Sequence, residues 1–194
     1  ITRYPGTEIS DEVQFRRGEM LFLRKQYNDA ELAYQHVVRA GESSRFYEQA
    51  LYKLGWSQFK LAWHEDSLTP FFELLDRKVG DQEVGEGDER LADLSRAERE
   101  LVEDTFRVLS ISFSYMDGAD AIDSFLAERG SPKYAHVIYG NLGDLYLEKE
   151  RYQDALDALD MWFCTVPKDQ VTSHAYVLKA SINIQKEDYP ATLE

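Results

Sequence analysis

Apolar residues recur along this chain at helical rather than strand spacing. In the stretch YGNLGDLYLEKERYQDALDALDMWFCTVP, from Tyr139 to Pro167, they fall three and four apart on either side of a polar turn, KERYQ. That pattern predicts two helices joined tightly. Weaker copies lie before and after it. From Asp11, Val13, Phe15, Met20, Leu21, Phe22 and Leu23 place apolar residues on more than one side of a helix, as expected for a helix packed on two faces. Lys25-Gln26 ends it. Asn28-Asp29-Ala30-Glu31 predicts a capped start for the next helix, with Asn28 as N-cap and Glu31 three residues on. Gly41 is placed to stop that helix. A second pair begins near Arg45, and its second helix centres on Ser67–Leu75, with Pro70 in the first turn or two.

Residues 79–94 break the pattern. VGDQEVGEGDER is rich in Gly, Asp and Glu and reads as an acidic insertion loop. No register of it supplies alternate oxygen ligands, a sixth-position Gly and a closing Glu together, so calcium coordination is not expected. Ser95-Arg96-Ala97-Glu98 is a capping box opening a long helix to about Tyr115. Asp117-Gly118 predicts a turn, residues 119–128 a short helix, and Gly130-Ser131-Pro132 its end. The expected organisation is a lead-in (1–10), two helix pairs (11–78), the acidic loop (79–94), an irregular pair (95–131), a well-formed pair (132–169) and a final pair (170–194) whose second helix the chain enters without finishing.

Small residues mark the first helices at Gly18, Gly55, Gly143 and Ala180. The steps 55 − 18 and 180 − 143 are both 37. Twelve residues after each marker comes another small residue (Ala30, Ser67, Ala155, Thr192), and nine after it a turn residue (Tyr27, His64, Tyr152, Tyr189). Two helices approach closely only where side chains are small, and the turn aromatic is expected to wedge between its pair and the next. A single pair cannot bury its apolar face, so repeated pairs are expected to stack and share a core.

The best-formed pair resembles a tetratricopeptide repeat. Tyr139-x2-Leu142-Gly143-x2-Tyr146, then Ala155, Leu159 and Pro167, follow that family's spacing. Leu51, Leu54, Gly55 and Phe71 match in the second pair, with Gln58 and Ser67 where Tyr and Ala are usual; the first pair keeps Gly18, Ala30 and Tyr34. The irregular pair lacks the Leu-Gly signature. The resemblance implies an all-α fold, an α-solenoid of stacked antiparallel helix pairs in a right-handed superhelix. It also implies a non-catalytic scaffold that binds a protein or peptide in its concave groove. The 37-residue step, LYKLGWSQFK and the acidic interruption are also similar to larger bacterial envelope proteins of this family, which points to periplasm or envelope, with cytoplasm as the alternative.

Family geometry places the groove on the first helices. The matching positions are Phe15, Glu19 and Phe22; Tyr52, Trp56 and Phe59; Asp144 and Leu147; and Val177 and Ser181. Tyr52, Trp56 and Phe59 share one helix face at i, i+4 and i+7. The same stripe has a second reading as core, since aromatic stripes at helical spacing usually pack. The family's carboxylate clamp is not evident: Glu19 and Asp144 stand on the face, with Lys53, Lys60 and Arg16 nearby.

Composition narrows the partners. A net charge of −14 argues against nucleic acid and anionic membrane, and suits a solvated surface or a cationic partner. A hydrophobic content of 43% is enough for a core. No apolar run approaches the ~18 residues of a membrane span. The chain opens at Ile1 without a Met, which reads as a processed or trimmed fragment. Cys164 is the single cysteine, expected as a buried small residue, and precludes an internal disulfide. His64 reads as a structural turn residue; His136 and His174 are expected to be exposed. No metal, cofactor or catalytic constellation is predicted. The rival to a groove-binding scaffold is an assembly segment that self-associates through an uncapped end.

Overall fold

The computed structural model describes residues 8–80, 94–165 and 173–188, and every regular element among them is helical. The acidic segment at 81–93, the lead-in at 1–7, Pro167, Tyr189 and Thr192 lie outside the described residues. The chain divides into two compact units, Ile1–Lys78 and Val79–Glu194. The first holds α1 (Glu8–Leu23), α2 (Tyr27–Ala40), α3 (Tyr47–Lys60) and α4 (His64–Lys78), with a 3-10 turn at Gly41–Ser43. Each helix packs on the next in sequence. The second holds α5 (Arg96–Ser114), α6 (Ala119–Arg129), α7 (Ala135–Glu148), α8 (Tyr152–Thr165) and α9 (Ser173–Asp188).

In the first unit, the glycine markers are receptacles for rings. A Cβ on Gly18 would lie 2.6 Å from the Tyr34 ring, and one on Gly55 would lie 2.7 Å from Phe71. Both rings come sixteen residues after the marker (34 − 18, 71 − 55), so two pairs use one register. Nearer each turn, Phe22 meets Tyr27 at 5.2 Å and Phe59 meets His64 at 5.3 Å. Contacts nested in this way require each pair to fold back as a hairpin. Ala30 and Ser67 are fully buried, as their spacing predicts. The turn residues Tyr27 and His64 thus wedge against their own first helix.

The turns repeat as well. Gln26 and Trp63 donate backbone N–H bonds to Leu21 and Gln58 carbonyls; Lys25 and Ala62, one residue earlier, donate to Phe22 and Phe59. These are Schellman closures, and they hold Lys25 and Ala62 at φ of 61° and 60°. The expected cap at Asn28 is corrected here. Helix α2 already starts at Tyr27, behind Gln26, which makes no side-chain capping bond. Glu31 turns inward instead, where the Gln58 Nε2 donates to its Oε1 at 3.3 Å. Gln58 therefore forms a polar link between α2 and α3. Ser67 donates its hydroxyl to the His64 carbonyl at 2.7 Å.

The second unit opens on the expected capping box. Glu98 N–H donates to the Ser95 Oγ at 3.3 Å, and Ser95 N–H donates to the Glu98 carboxylate at 3.0 Å. In it α5 packs chiefly on α7, α6 reaches α8, and α7, α8 and α9 pack in succession. The irregular pair keeps more of the repeat than its residue types suggest. Gly118 N–H donates to the Phe113 carbonyl across the same interval as the Schellman turns above, which puts Ser110 at the marker position (118 − 8). Ser110 is buried, and its hydroxyl bonds to the carbonyls of Phe106 and, on α7, Ile138, each at 3.1 Å. Ile122 and Leu126, twelve and sixteen residues on, are buried. Gly118 has φ 62° and ψ −122°, and a Cβ there would stand 2.6 Å from the Tyr146 hydroxyl; no other residue type fits it without displacement.

The well-formed pair is looser than its signature implies. A Cβ on Gly143 would touch Leu159, again sixteen residues on, at an ordinary 3.5 Å. Glu150 takes the positive-φ position of the turn, at 58°. Two expectations reverse here. His136 is buried rather than exposed, because Trp162 of α8 stacks on its ring at 6.1 Å, and its Nδ1 lies 2.8 Å from the Lys133 carbonyl. Cys164 is exposed rather than buried. Ala180, the last marker, is exposed on α9.

Candidate functional site

The predicted groove residues divide between the two units. In the first, the marker-relative positions give a face built by α3 with the end of α1. Tyr52, Trp56 and Phe59 are half-buried and meet edge to face, with centroids 6.3 Å apart for Tyr52–Trp56 and 5.4 Å for Trp56–Phe59. Helical periodicity alone puts them on one side; the packing fixes their depth. Phe71 enters α3 at Gly55, and both Tyr52 and Trp56 rest their edges on it, at 6.3 and 6.5 Å. The aromatic face is therefore the outer surface of the core rather than a detached patch, with its rings half-exposed.

Two lysines belong to this face. The Lys60 ammonium lies 5.2 Å from the Trp56 ring centre and 5.9 Å from that of Phe59. The Lys53 ammonium lies 5.3 Å from the ring centre of Phe22, which brings α1 into the same surface. Such cation–π contacts contribute about 0.5–1 kcal/mol where solvent is near. Glu19, half-buried one turn before Phe22, is ion-paired with Arg16 at 2.8 Å.

Phe15 does not join them, which corrects its assignment to the groove. It is 5% exposed, stacked on Phe46 at 4.9 Å and edge-on to Tyr34 at 5.8 Å. Phe46 comes from the link between α2 and α3, a position that helical spacing could not bring into the prediction. Arg45 covers the far face of Phe46 at 4.7 Å and ion-pairs with Glu12 at 2.5 Å, closing the site over Phe15.

Asp144 and Leu147 belong to the second unit and are half-buried on α7. Asp144 lines a cleft of about 310 Å³ between α5 and α7 with Arg107, Ser110, Asn141 and Glu148. Of the α9 positions, Val177 is exposed and Ser181 half-buried.

A larger hollow of about 700 Å³ lies between the start of α6 and α8. Asp117, Asp120, Asp154, Asp157 and Asp160 line it, beside Cys164. Arg151 caps the Tyr146 ring at 4.4 Å and pairs with Asp154 at 2.7 Å. Part of the chain's acidic surplus is therefore concentrated on one side of the second unit. Its signal was readable in the sequence as Asp at 154, 157 and 160, three apart on one helix.

Burial perturbs His64 and Tyr139. Desolvation lowers His64, consistent with a neutral turn residue packed on Phe59. Tyr139 is pushed up to about 12 by burial and by Asp123. Among the described residues, no group of three or more His, Cys, Asp or Glu side chains is arranged to hold a metal ion, and no helix is long and apolar enough to cross a membrane. No protein-family model matches the chain, and no curated protein matches it.

Proposed function

We propose that this chain is a segment of a tetratricopeptide-like α-solenoid acting as a non-catalytic scaffold, and that it binds a protein or peptide on the α1/α3 face. The observation that carries the reading is the half-buried trio Tyr52, Trp56 and Phe59, ridged over Phe71 and flanked by Lys53 and Lys60. Fixed aromatic side chains present large contact area at small entropic cost, which suits them as anchors. The shared sixteen-residue ring register and the repeated turns support the solenoid reading, because equivalent pairs built in one register can stack.

Peptide display on the immobilised chain tests it. Sequences enriched on the wild type should be lost on Trp56→Ala, while the thermal melt shows that variant still folded. Equal enrichment on both proteins would remove the face from the binding function; a variant that no longer folds would make Trp56 a core residue and the groove assignment wrong.

A second reading, self-association, draws on the outer side of α1. Val13 and Met20, seven residues apart, are 58% and 56% exposed, and Leu23 is 82% exposed. Light scattering discriminates: a monomer at high concentration counts against association through this face.

A further inference from the structure

We infer that the partner of the α1/α3 face is an acidic peptide segment, carrying two carboxylates three residues apart with an apolar residue between them. This rests on the scaffold reading above and narrows it to one ligand chemistry.

The chain carries 36 acidic and 22 basic residues, so cations have carboxylates in excess to pair with. Four cations of the first unit do so, Arg16 with Glu19, Arg45 with Glu12, Arg77 with Glu42 and Glu48, and Lys78 with Glu48, while among the described residues Arg17, Arg24, Lys25 and Arg39 do not and lie over no ring. Lys53 and Lys60 take part in none of the ion pairs among the described residues. Both ammoniums instead lie over the rings of Phe22, Trp56 and Phe59. A ring face attracts an ammonium but cannot accept all three of its N–H groups, so each lysine keeps donors for an incoming carboxylate. Glu19, the acidic residue predicted on this face, is occupied by Arg16.

The spacing adds a constraint. Lys53, Trp56 and Lys60 stand at i, i+3 and i+7 on α3, so the lysines are separated by two turns, about 10 Å along the axis. Three residues of a polyproline II chain span about 9 Å and bring the fourth side chain back to the face of the first. Carboxylates at positions one and four of a peptide can therefore meet both lysines, and an apolar side chain between them lies on Trp56. A basic peptide would meet two ammoniums of its own sign. A neutral one would leave both lysines desolvated without a partner.

Fluorescence anisotropy on the full chain tests this with three labelled peptides: Gly-Glu-Leu-Phe-Glu-Gly, the same with both Glu replaced by Gln, and the same with both replaced by Lys. The Glu peptide should bind the wild type about tenfold tighter than the Gln peptide at low salt, with the preference shrinking as salt rises. Lys53→Glu/Lys60→Glu, which alters only side chains at the surface, should reverse the order and favour the Lys peptide. Equal binding of the Glu and Gln peptides, both lost in Trp56→Ala, would overturn the acidic preference and leave the groove standing. Tightest wild-type binding by the Lys peptide would overturn it and redirect attention to the acidic hollow of the second unit. Absence of binding by all three would overturn both this inference and the reading it rests on.

Discussion

Gly55 and Gly143 occupy the same position in their pairs, yet they answer to different constraints. At Gly55 an added methyl would sit 2.7 Å from the Phe71 ring, and that ring is held on its other sides by Tyr52 and Trp56. Gly55→Ala should therefore destabilise the chain by about 1–3 kcal/mol, the cost of overpacking a filled site. At Gly143 the methyl would make an ordinary 3.5 Å contact with Leu159, so removing a helical glycine should leave stability unchanged or raise it by up to about 1 kcal/mol. Urea denaturation of the two variants checks the contrast; equal losses would mean that the small residue is required for its own sake. The turns make the opposite demand. Ala62 is held at φ 60° with a Cβ that disfavours that conformation. Ala62→Gly should stabilise by about 0.5–1 kcal/mol, read as a higher denaturation midpoint.

At the scale of the helix, local signals were legible and tertiary choices were not. Ser95 and Glu98 are exposed or half-exposed at the start of α5, and the capping box forms as the residue types dictate. Ser95→Ala should cost about 1 kcal/mol and speed amide exchange in the first turn of α5, where protection unchanged from wild type would count against the cap. The similar pattern at Asn28 and Glu31 fails because Glu31 serves Gln58 across α2 and α3, and no local rule contains Gln58. Ser110 escaped the small-residue pattern for a related reason. A serine can stand where glycine is usual when its hydroxyl is satisfied, and the Ile138 carbonyl that helps satisfy it lies 28 residues away. The candidate site divides in the same manner. The i, i+4, i+7 face of Tyr52, Trp56 and Phe59 follows from helix geometry alone. The loss of Phe15 to the core depends on Phe46, and the entry of Lys53 depends on Phe22; both are contacts between elements.

At the scale of the whole molecule, each unit contains a buried tyrosine whose ionisation opposes folding. Tyr47, in the first, is pushed up to about 12 by burial and by its hydrogen bond to Glu73; Tyr139, in the second, is pushed up to about 12 by burial and the nearby Asp123. An unfolded tyrosine ionises near 10. Between pH 10 and 12 the unfolded chain has lost these protons while the folded chain keeps them, so stability is full below pH 10 and falls as pH rises toward 12. Each group contributes on the order of 2 kcal/mol to that loss. The two hydroxyls differ in what they do at neutral pH. Tyr47 donates to Glu73, so Tyr47→Phe should lower stability there by about 1 kcal/mol. The Tyr139 hydroxyl is buried without a hydrogen-bond partner among the described residues, so Tyr139→Phe removes an unsatisfied polar atom and should be neutral or stabilising at pH 7. Both variants should lose stability less steeply above pH 10 than the wild type does. Denaturant midpoints measured from pH 7 to 11.5 test the slopes, and a wild-type slope retained in both variants would mean that the alkaline transition belongs to other groups.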